Sequence, residues 1–471
     1  MIDTVAIRKR ILELAYQGSL SEQNATDGDV NSLYSDIRKY VANTELSEVD
    51  STEFFTEIPS NWKWVRIGNV AKINPKNVKD DDEDASFIPM TLVVEGFQNK
   101  HSFEVKKWGD IKKGFNHFCE GDIGVAKITP CFQNRKSVIF RNLHNGFGAC
   151  TTELVILRTM EDLLLGEYLL YFFKTEYFIL KGVESFTGVV GQQRIHKDYL
   201  KMSPIPLPPV EEQRRIVQKI KESFELLDII DALQVQYSSD LEVLKSKIID
   251  AAIRGKLTEQ LPEDGTAEEL VKQIAKEKKQ LIKEKKIKAT KALPEITEDE
   301  IPFEIPDTWK WVRLSEIMDV RDGTHDSPKY VEEGVPLVTS KNISSGGLNF
   351  SNVNYITQDD ADKINERSNV DTGDILFAMI GTIGNPVIVE KDRDFCIKNV
   401  ALFKNFAKER IDIRYIYWML MREQYVMKKK AIGGLQPFIS LKVFREYPIP
   451  LPPIAEQKRI SARLDEIISM C

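Results

Sequence analysis

Cysteine and histidine are both scarce, at five residues each in a chain of 471. Cys119, Cys131, Cys150, Cys396 and Cys471 form no CxxC pair and no cluster with histidine, and HExxH is absent. Neither a disulfide framework nor a zinc site is expected, and the cysteines read as reduced thiols. Long apolar runs are missing too: none approaches the roughly eighteen residues a membrane crossing needs. The opening MIDTVAIRKR lacks the apolar core of an export signal, so a cytoplasmic location and no membrane partner are expected. There is no GxxxxGK[ST] loop, no GxGxxG after a strand and no Asn-Pro-Pro-aromatic tetrapeptide, for which INPKN at Ile73 is no substitute. Nucleotide hydrolysis and amino-methyl transfer are therefore not expected of this chain. Glu-x-Lys triplets such as Glu104-Val105-Lys106 and Glu277-Lys278-Lys279 arise by chance in a chain this rich in both residues, and no Ser-His-Asp or Cys-His set is signalled. The chain reads as non-catalytic.

What is present is charge and repetition. Apolar residues make up 42% and charged residues 29%, with a net charge of −7; the length suits two or three domains. A negative total weighs against a polyanionic partner, but acidic runs at Asp80–Asp84 and around Glu298 contribute much of it, and a partner feels local patches rather than the sum.

PIPLPPVEEQRRI, from Pro204, returns as PIPLPPIAEQKRI, from Pro448, with ten of thirteen letters unchanged. IPSNWKWVR, from Ile58, returns 247 positions later as IPDTWKWVR, from Ile305. Between them Tyr168 answers Tyr415, Gly121-Asp122 answers Gly373-Asp374, and Gln192 answers Gln436. A third echo runs the other way around the chain. IRKRILELAYQGSL (Ile7 to Leu20) resembles LKSKIIDAAIRGKL (Leu244 to Leu257), and Asp27-Gly28 and Leu33 answer Asp264-Gly265 and Leu270. The start of the chain thus copies the region after its middle, and the end copies the region before it. This is the pattern of two half-repeats in a ring, opened within one spacer.

That spacer, Val210 to Gly255, reads as one helix of about 70 Å at 1.5 Å per residue. Ile216, Ile220, Phe224, Leu241, Leu244 and Ile248 form an apolar seam along it. Its partner is expected from the chain ends: Ile460 and Leu464 at one, Ile7, Ile11 and Leu14 at the other. Separate core helices of two domains are the alternative. After Gly265 a helical, then basic, stretch reads as a solvated helix and tail. The domain reading is therefore 1–57 N-terminal helical segment, 58–207 first globular domain, 208–304 central region with the long helix, 305–449 second globular domain, and 450–471 C-terminal helix. The fold class is α+β: two mixed α/β domains joined by long antiparallel helices in a circular pseudo-two-fold arrangement.

Inside each domain, strand-like runs (KSVIF, TELVILR, GDILFAMIG, NPVIVE) alternate with turns, and each holds one helical run, GEYLLYFFKTEYFILKG or DIRYIYWMLMREQYVMKKK. Trp62, Trp64, Trp309 and Trp311 read as packing anchors. The domains match at their edges and differ inside, as two related recognition tasks would require. Loop residues able to meet base edges and phosphates are Lys127, Thr129, Gln133, Asn134, Arg135, Gln192, Gln193, Arg194 and His196 in the first domain. In the second they are His325, Ser340, Lys341, Asn342, Thr382, Asn385 and Gln436.

With its circular half-repeat, its twin PIPLPP-x-x-EQ-x-RI and IP-x-x-W-x-W phrases, DGTH at Asp322 and GDIGVAKITPC at Gly121, the chain resembles, over essentially its whole length, the DNA-specificity subunit of type I restriction–modification enzymes. The resemblance implies two target recognition domains, each reading one half of a split, asymmetric sequence in double-stranded DNA, with the helices setting the gap. It implies docking of two methyltransferase (modification) subunits and of motor/nuclease (restriction) subunits. S-adenosylmethionine, ATP and Mg2+ would be bound by those partners, with no cofactor or metal in this chain.

Overall fold

Apolar residues spaced by threes and fours, with no glycine or proline to interrupt them, close into a single helix, Val210–Ile253. Its stop is built from chain geometry: Gly255 takes a left-handed φ of +71°, and a Cβ there would meet Pro306 Cγ at 2.5 Å. Gly18 ends the N-terminal helix, Thr4–Tyr16, in the same way, with φ +72° and Pro59 Cγ at 2.4 Å. This computed structural model describes all residues except 43–45, 190, 290–291, 345–346 and 432–436. It divides into two units, Met1–Gln236 and Tyr237–Cys471, with the boundary inside the long helix. Among the described residues no helix is long and apolar enough to cross a membrane.

In the first unit, Lys63–Arg66 pairs antiparallel with Pro204–Leu207. Proline has no N–H, so the ladder's bonds can fall only on Ile205 and Leu207, and the alternation of PIPL fits that requirement. Beyond this ribbon lies an antiparallel sheet in the order Lys72–Ile73, Leu154–Arg158, Ile123–Ala126, Ser137–Ile139. A second sheet runs Glu104–Lys107, Asp84–Ile88, Phe147–Cys150, Asn116–Cys119, its middle pair parallel. The second unit repeats the plan. Lys310–Arg313 pairs with Pro448–Leu451, and a sheet follows in the order Asp319–Asp322, Val400–Lys404, Ile375–Ala378, Gly384–Ile388. Its other sheet, Asn354–Ile356, Val335–Val338, Cys396–Ile397, again has a parallel pair.

Each unit's main core lies between its domain helices and its own part of the long helix. In the first, Tyr168, Leu169, Phe172 and Phe178 pack with Ile216 and Ile220; in the second, Tyr415, Ile416 and Met419 pack with Ile249, Ile253, Ile460 and Leu464. GEYLLYFFKTEYFILKG forms two helices, Gly166–Phe173 and Glu176–Glu184, rather than one. The break is chemical. Thr175 caps the second helix by accepting from Phe178 N, and Lys174, fully buried, donates to the carbonyls of Gly96, Arg135 and Ser137. The expected solvated helix, Ala267–Lys283, buries Ala267, Leu270 and Ile274 in the second core, as Val30–Val41 does with Val30, Ile37 and Val41 in the first.

The helix seam differs in part from the sequence reading. Ile216, Ile220, Phe224, Ile460 and Leu464 are buried, and Ile11, Leu14, Leu241 and Ile248 are half-buried. Ile7 and Leu244 are exposed, at 39% and 48%. The N-terminal helix turns Thr4, Arg8, Leu12 and Ala15 inward instead. Arg8 reaches Asp228 at 2.6 Å and Asp231 at 2.9 Å, so an ion pair fixes the rotation that apolar spacing alone would have set differently.

The twin phrases meet at a buried carboxylate. Glu212, fully buried, accepts from Trp62 Nε1 at 2.8 Å, Gln23 Nε2 at 2.9 Å and Ser21 Oγ at 3.1 Å. Glu456, equally buried, accepts from Trp309 Nε1 at 2.8 Å, Gln260 Nε2 at 2.7 Å and Thr258 Oγ1 at 3.0 Å. Gln213 and Gln457 then hold backbone of the domain helices' entry segments, at Leu165 N and Asp412 N. Removing either carboxylate strands an indole N–H and a carboxamide in a dry site. Glu212→Ala and Glu456→Ala are each expected to cost about 3 kcal/mol or more in a denaturant titration, whereas a change under about 0.5 kcal/mol is what a surface position would give.

Arg66 and Arg313, the last letters of WKWVR, close the other side. Arg313 donates to Glu300 at 2.7 Å and to the carbonyls of Pro294, Glu295 and Glu446; Arg66 does the same with Glu53, Ser47, Glu48 and Met202. Hydrogen bonds from Arg313, then from the Thr297 backbone, pull the Glu300 carboxyl from 4.5 down to about 2. A depressed carboxyl adds stability above its unfolded pKa, and that stability is lost as pH falls through the folded one. Glu300→Gln is therefore expected to lower the thermal transition at neutral pH, with the gap to wild type closing between about pH 4.5 and 2; a gap independent of pH would contradict this.

Candidate nucleic-acid interface

One strand of each domain runs out into a loop, and a second segment from near the Pro-rich phrase lies along it. In the first unit Ile123–Ala126 continues into Lys127–Arg135. Ile128 bridges Arg194, Thr129 N donates to Gln193 O at 2.9 Å, and Ile195 N donates to Lys127 O at 3.0 Å. In the second, Ile375–Ala378 continues into Met379–Asn385. Ile380 bridges Phe438, Gly381 N donates to Pro437 O at 3.0 Å, and Ile439 N donates to Met379 O at 2.9 Å. The backbone plan is the same; Ile380 and Ile439 repeat Ile128 and Ile195, whereas Met379, Gly381, Pro437 and Phe438 stand in place of Lys127, Thr129, Gln193 and Arg194.

The residues nominated in the first domain converge on this platform, but not all face outward. Arg135, at φ +56°, donates to Lys174 O at 3.0 Å, pairs with Glu176 and lies over Phe97. Arg194 forks onto Glu153 at 2.8–3.2 Å and holds that carboxyl below its usual pKa. Both guanidinium groups are thus engaged within the protein. Thr129 Oγ1 donates to Gln133 Oε1 at 2.6 Å, and Asn134, exposed, donates to Glu95 at 3.0 Å. Gln193 contributes its carbonyl to the platform and its side chain is half-buried. Gln192 and His196 are exposed and Lys127 half-buried at the rim.

In the second domain His325 stands between Asp322 at 2.9 Å and Asn399 at 2.8 Å, and Arg367 pairs with the same Asp322. Ser340 Oγ donates to Asn399 O at 3.4 Å, with Lys341 exposed beside it. Asn342 is buried: it accepts from Thr339 N and donates to the carbonyls of Asn349 and Asn352, so its carboxamide shapes the loop. Thr382 is exposed, and Asn385, at φ +52°, donates its N–H to Gln424. These last two sit on the platform turn, and His325, Ser340 and Lys341 gather around Asn399. Gln436 lies outside the described residues. Sequence reading missed Asn399 and Gln424, which orient these groups and carry no motif of their own. It also missed Lys197 and Lys201, which adjoin His196 and Lys127.

The model of the type I restriction modification DNA specificity domain matches this chain twice, at residues 59–236 and 306–471. The chain belongs to that family. The Escherichia coli type I restriction enzyme EcoAI specificity subunit is 34% identical, covering 99% of this chain and 89% of its own length. The EcoEI specificity subunit, also from Escherichia coli, is 32% identical with the same coverage. Among solved structures, a chain from work on assembly and conformational transition of the type I R-M system aligns with a TM-score of 0.64 at 18% identity, covering 88% of this chain and 91% of that one. The HsdS subunit from Thermoanaerobacter tengcongensis aligns with a TM-score of 0.54, also at 18% identity, over 89% and 92%. These two likenesses concern the fold. As a specificity subunit the chain is a DNA-recognition component of a type I restriction–modification system, and the two family matches begin at the twin Trp-Lys-Trp phrases and take in both platforms.

Nominated residues consumed within the fold and those left exposed are separable by stability. Asn342→Ala is expected to cost about 1–3 kcal/mol in a denaturant titration, and Gln192→Ala less than about 0.5 kcal/mol. Equal effects would contradict the division drawn above.

Proposed function

We propose that this chain is the non-catalytic reading subunit of a type I restriction–modification enzyme, and that each unit reads one half of a split, asymmetric sequence in double-stranded DNA, mainly from the major groove. The observation that carries this reading is the repetition of one two-segment platform with unlike side chains: the same pose, two different words. Two modification subunits dock on the helices and on the edges the units share, and motor/nuclease subunits join them. S-adenosylmethionine, ATP and Mg2+ belong to those partners, and the complex works in the cytoplasm.

In this reading the long helix sets the number of unread base pairs. Methylation mapping in cells carrying the chain is expected to return two unrelated half-sites at one fixed spacing. Inserting four residues, about one helical turn, after Asp231 is expected to lengthen the gap and leave both half-sites readable. A continuous site, or a gap unchanged by the insertion, would contradict the proposal.

A further inference from the structure

A cavity of about 500 Å³ opens beside the platform of the first unit, lined by Lys127, His196, Lys197 and Lys201 together with Asn74 and Gly68. No carboxylate is among the described residues that line it. Two carboxylates adjoin these residues: Glu153, whose charge is felt at Lys127, is forked by Arg194, and Asp198 lies 4.0 Å from His196 Nδ1. No hydrogen bond or ion pair with a described side chain occupies the three ammonium groups, and Lys197 and Lys201 are exposed. Gly68 makes room for this arrangement, since a Cβ there would meet Lys201 Cγ at 2.6 Å.

The corresponding ring in the second unit has lost this character. By the register of the two platforms and the two Pro-rich phrases, Lys127 is replaced by Met379, which is buried, and His196 and Lys197 by Ser440 and Leu441. Lys201 is replaced by Arg445, whose guanidinium donates to Val320 O at 3.0 and 3.2 Å. Ser315 stands where Gly68 stood, and its hydroxyl donates to Arg445 O at 2.8 Å. Three ammonium groups on one open cleft, with the carboxylates drawn off, suit a polyanion rather than a neutral edge.

We infer that this cleft grips backbone phosphates of the duplex through Lys127, Lys197 and Lys201, a contact the second unit does not make, so that the two half-sites contribute unequally to the electrostatic part of binding. The inference rests on the DNA-reading function proposed above and adds to it an asymmetry between the units.

The test uses the full chain in complex with its modification subunits and a duplex carrying the mapped site. The Lys127→Gln/Lys197→Gln/Lys201→Gln variant is expected to show a log affinity against log salt slope shallower by about two to three, at about 0.9 per phosphate. Its thermal transition should be that of wild type. A slope within about half a unit of wild type would overturn the cleft. So would an equal loss in a Lys276→Gln/Lys279→Gln/Lys283→Gln control on the Ala267–Lys283 helix, because any three lysines would then serve. Amine acetylation read by mass spectrometry separates the anion sources. The duplex should protect the three lysines, and inorganic phosphate at the same phosphate concentration should not; equal protection would make the cleft a small-anion site and overturn its assignment to the duplex. A wild-type complex that neither binds nor methylates DNA sequence-specifically would sink the reading function itself. Normal wild-type recognition with an unmoved variant slope sinks the cleft alone.

Discussion

Each unit depends on a carboxylate held in the dry interior without a cation directly on it. An isolated buried charge would be prohibitive. Glu212 and Glu456 are tolerated because an indole N–H, a carboxamide and a hydroxyl converge on each. Donors and acceptor together come from three places in the chain. For Glu212 they are the N-terminal segment, the Trp-Lys-Trp phrase and the start of the long helix; for Glu456 they are the segment after the long helix, the second Trp-Lys-Trp phrase and the last helix. A single acceptor therefore ties together the elements that a permuted repeat has scattered. Neighbouring pairs, Arg215 with Asp27 and Arg459 with Asp264, repeat the tie one turn along.

This requirement accounts for why the twin phrases are the least altered parts of the chain. EQ supplies the acceptor and the backbone clamp. The prolines supply a strand that pairs only on alternate residues and leaves the carbonyls of Pro206 and Pro450 to accept from Tyr168 and Tyr415. Tryptophan supplies a donor at the end of a large apolar body. None of these can change alone without leaving a buried polar group unpaired. The loops above are under no such constraint. The two platforms share backbone pairing and two isoleucines but not their other side chains, and one unit carries a cationic cleft where the other carries Met379 and Leu441.

Much of the fold was legible in the sequence, because repetition and periodicity report on backbone and core. The long helix, the seam of Ile216, Ile220 and Phe224, and the correspondence of Asp27 with Asp264 follow from spacing. Less legible was anything decided by one polar contact. The N-terminal helix faces inward by Arg8 rather than Ile7 because two aspartates await it. A helical run breaks at Lys174 because three carbonyls need a donor. The candidate site shows the same division. Residue type picked out the platform, yet could not tell Gln192, which is exposed, from Arg194 and Asn342, whose polar groups are consumed by Glu153 and by loop carbonyls.

The most direct check on the carboxylate seats is hydrogen exchange at the indole N–H groups, followed by NMR on the intact chain. Trp62 and Trp309, buried and bonded to Glu212 and Glu456, should exchange only with global unfolding of their unit, far more slowly than the half-buried Trp64 and Trp311. Rapid exchange at Trp62 or Trp309, on the scale of Trp64 and Trp311, would contradict the account.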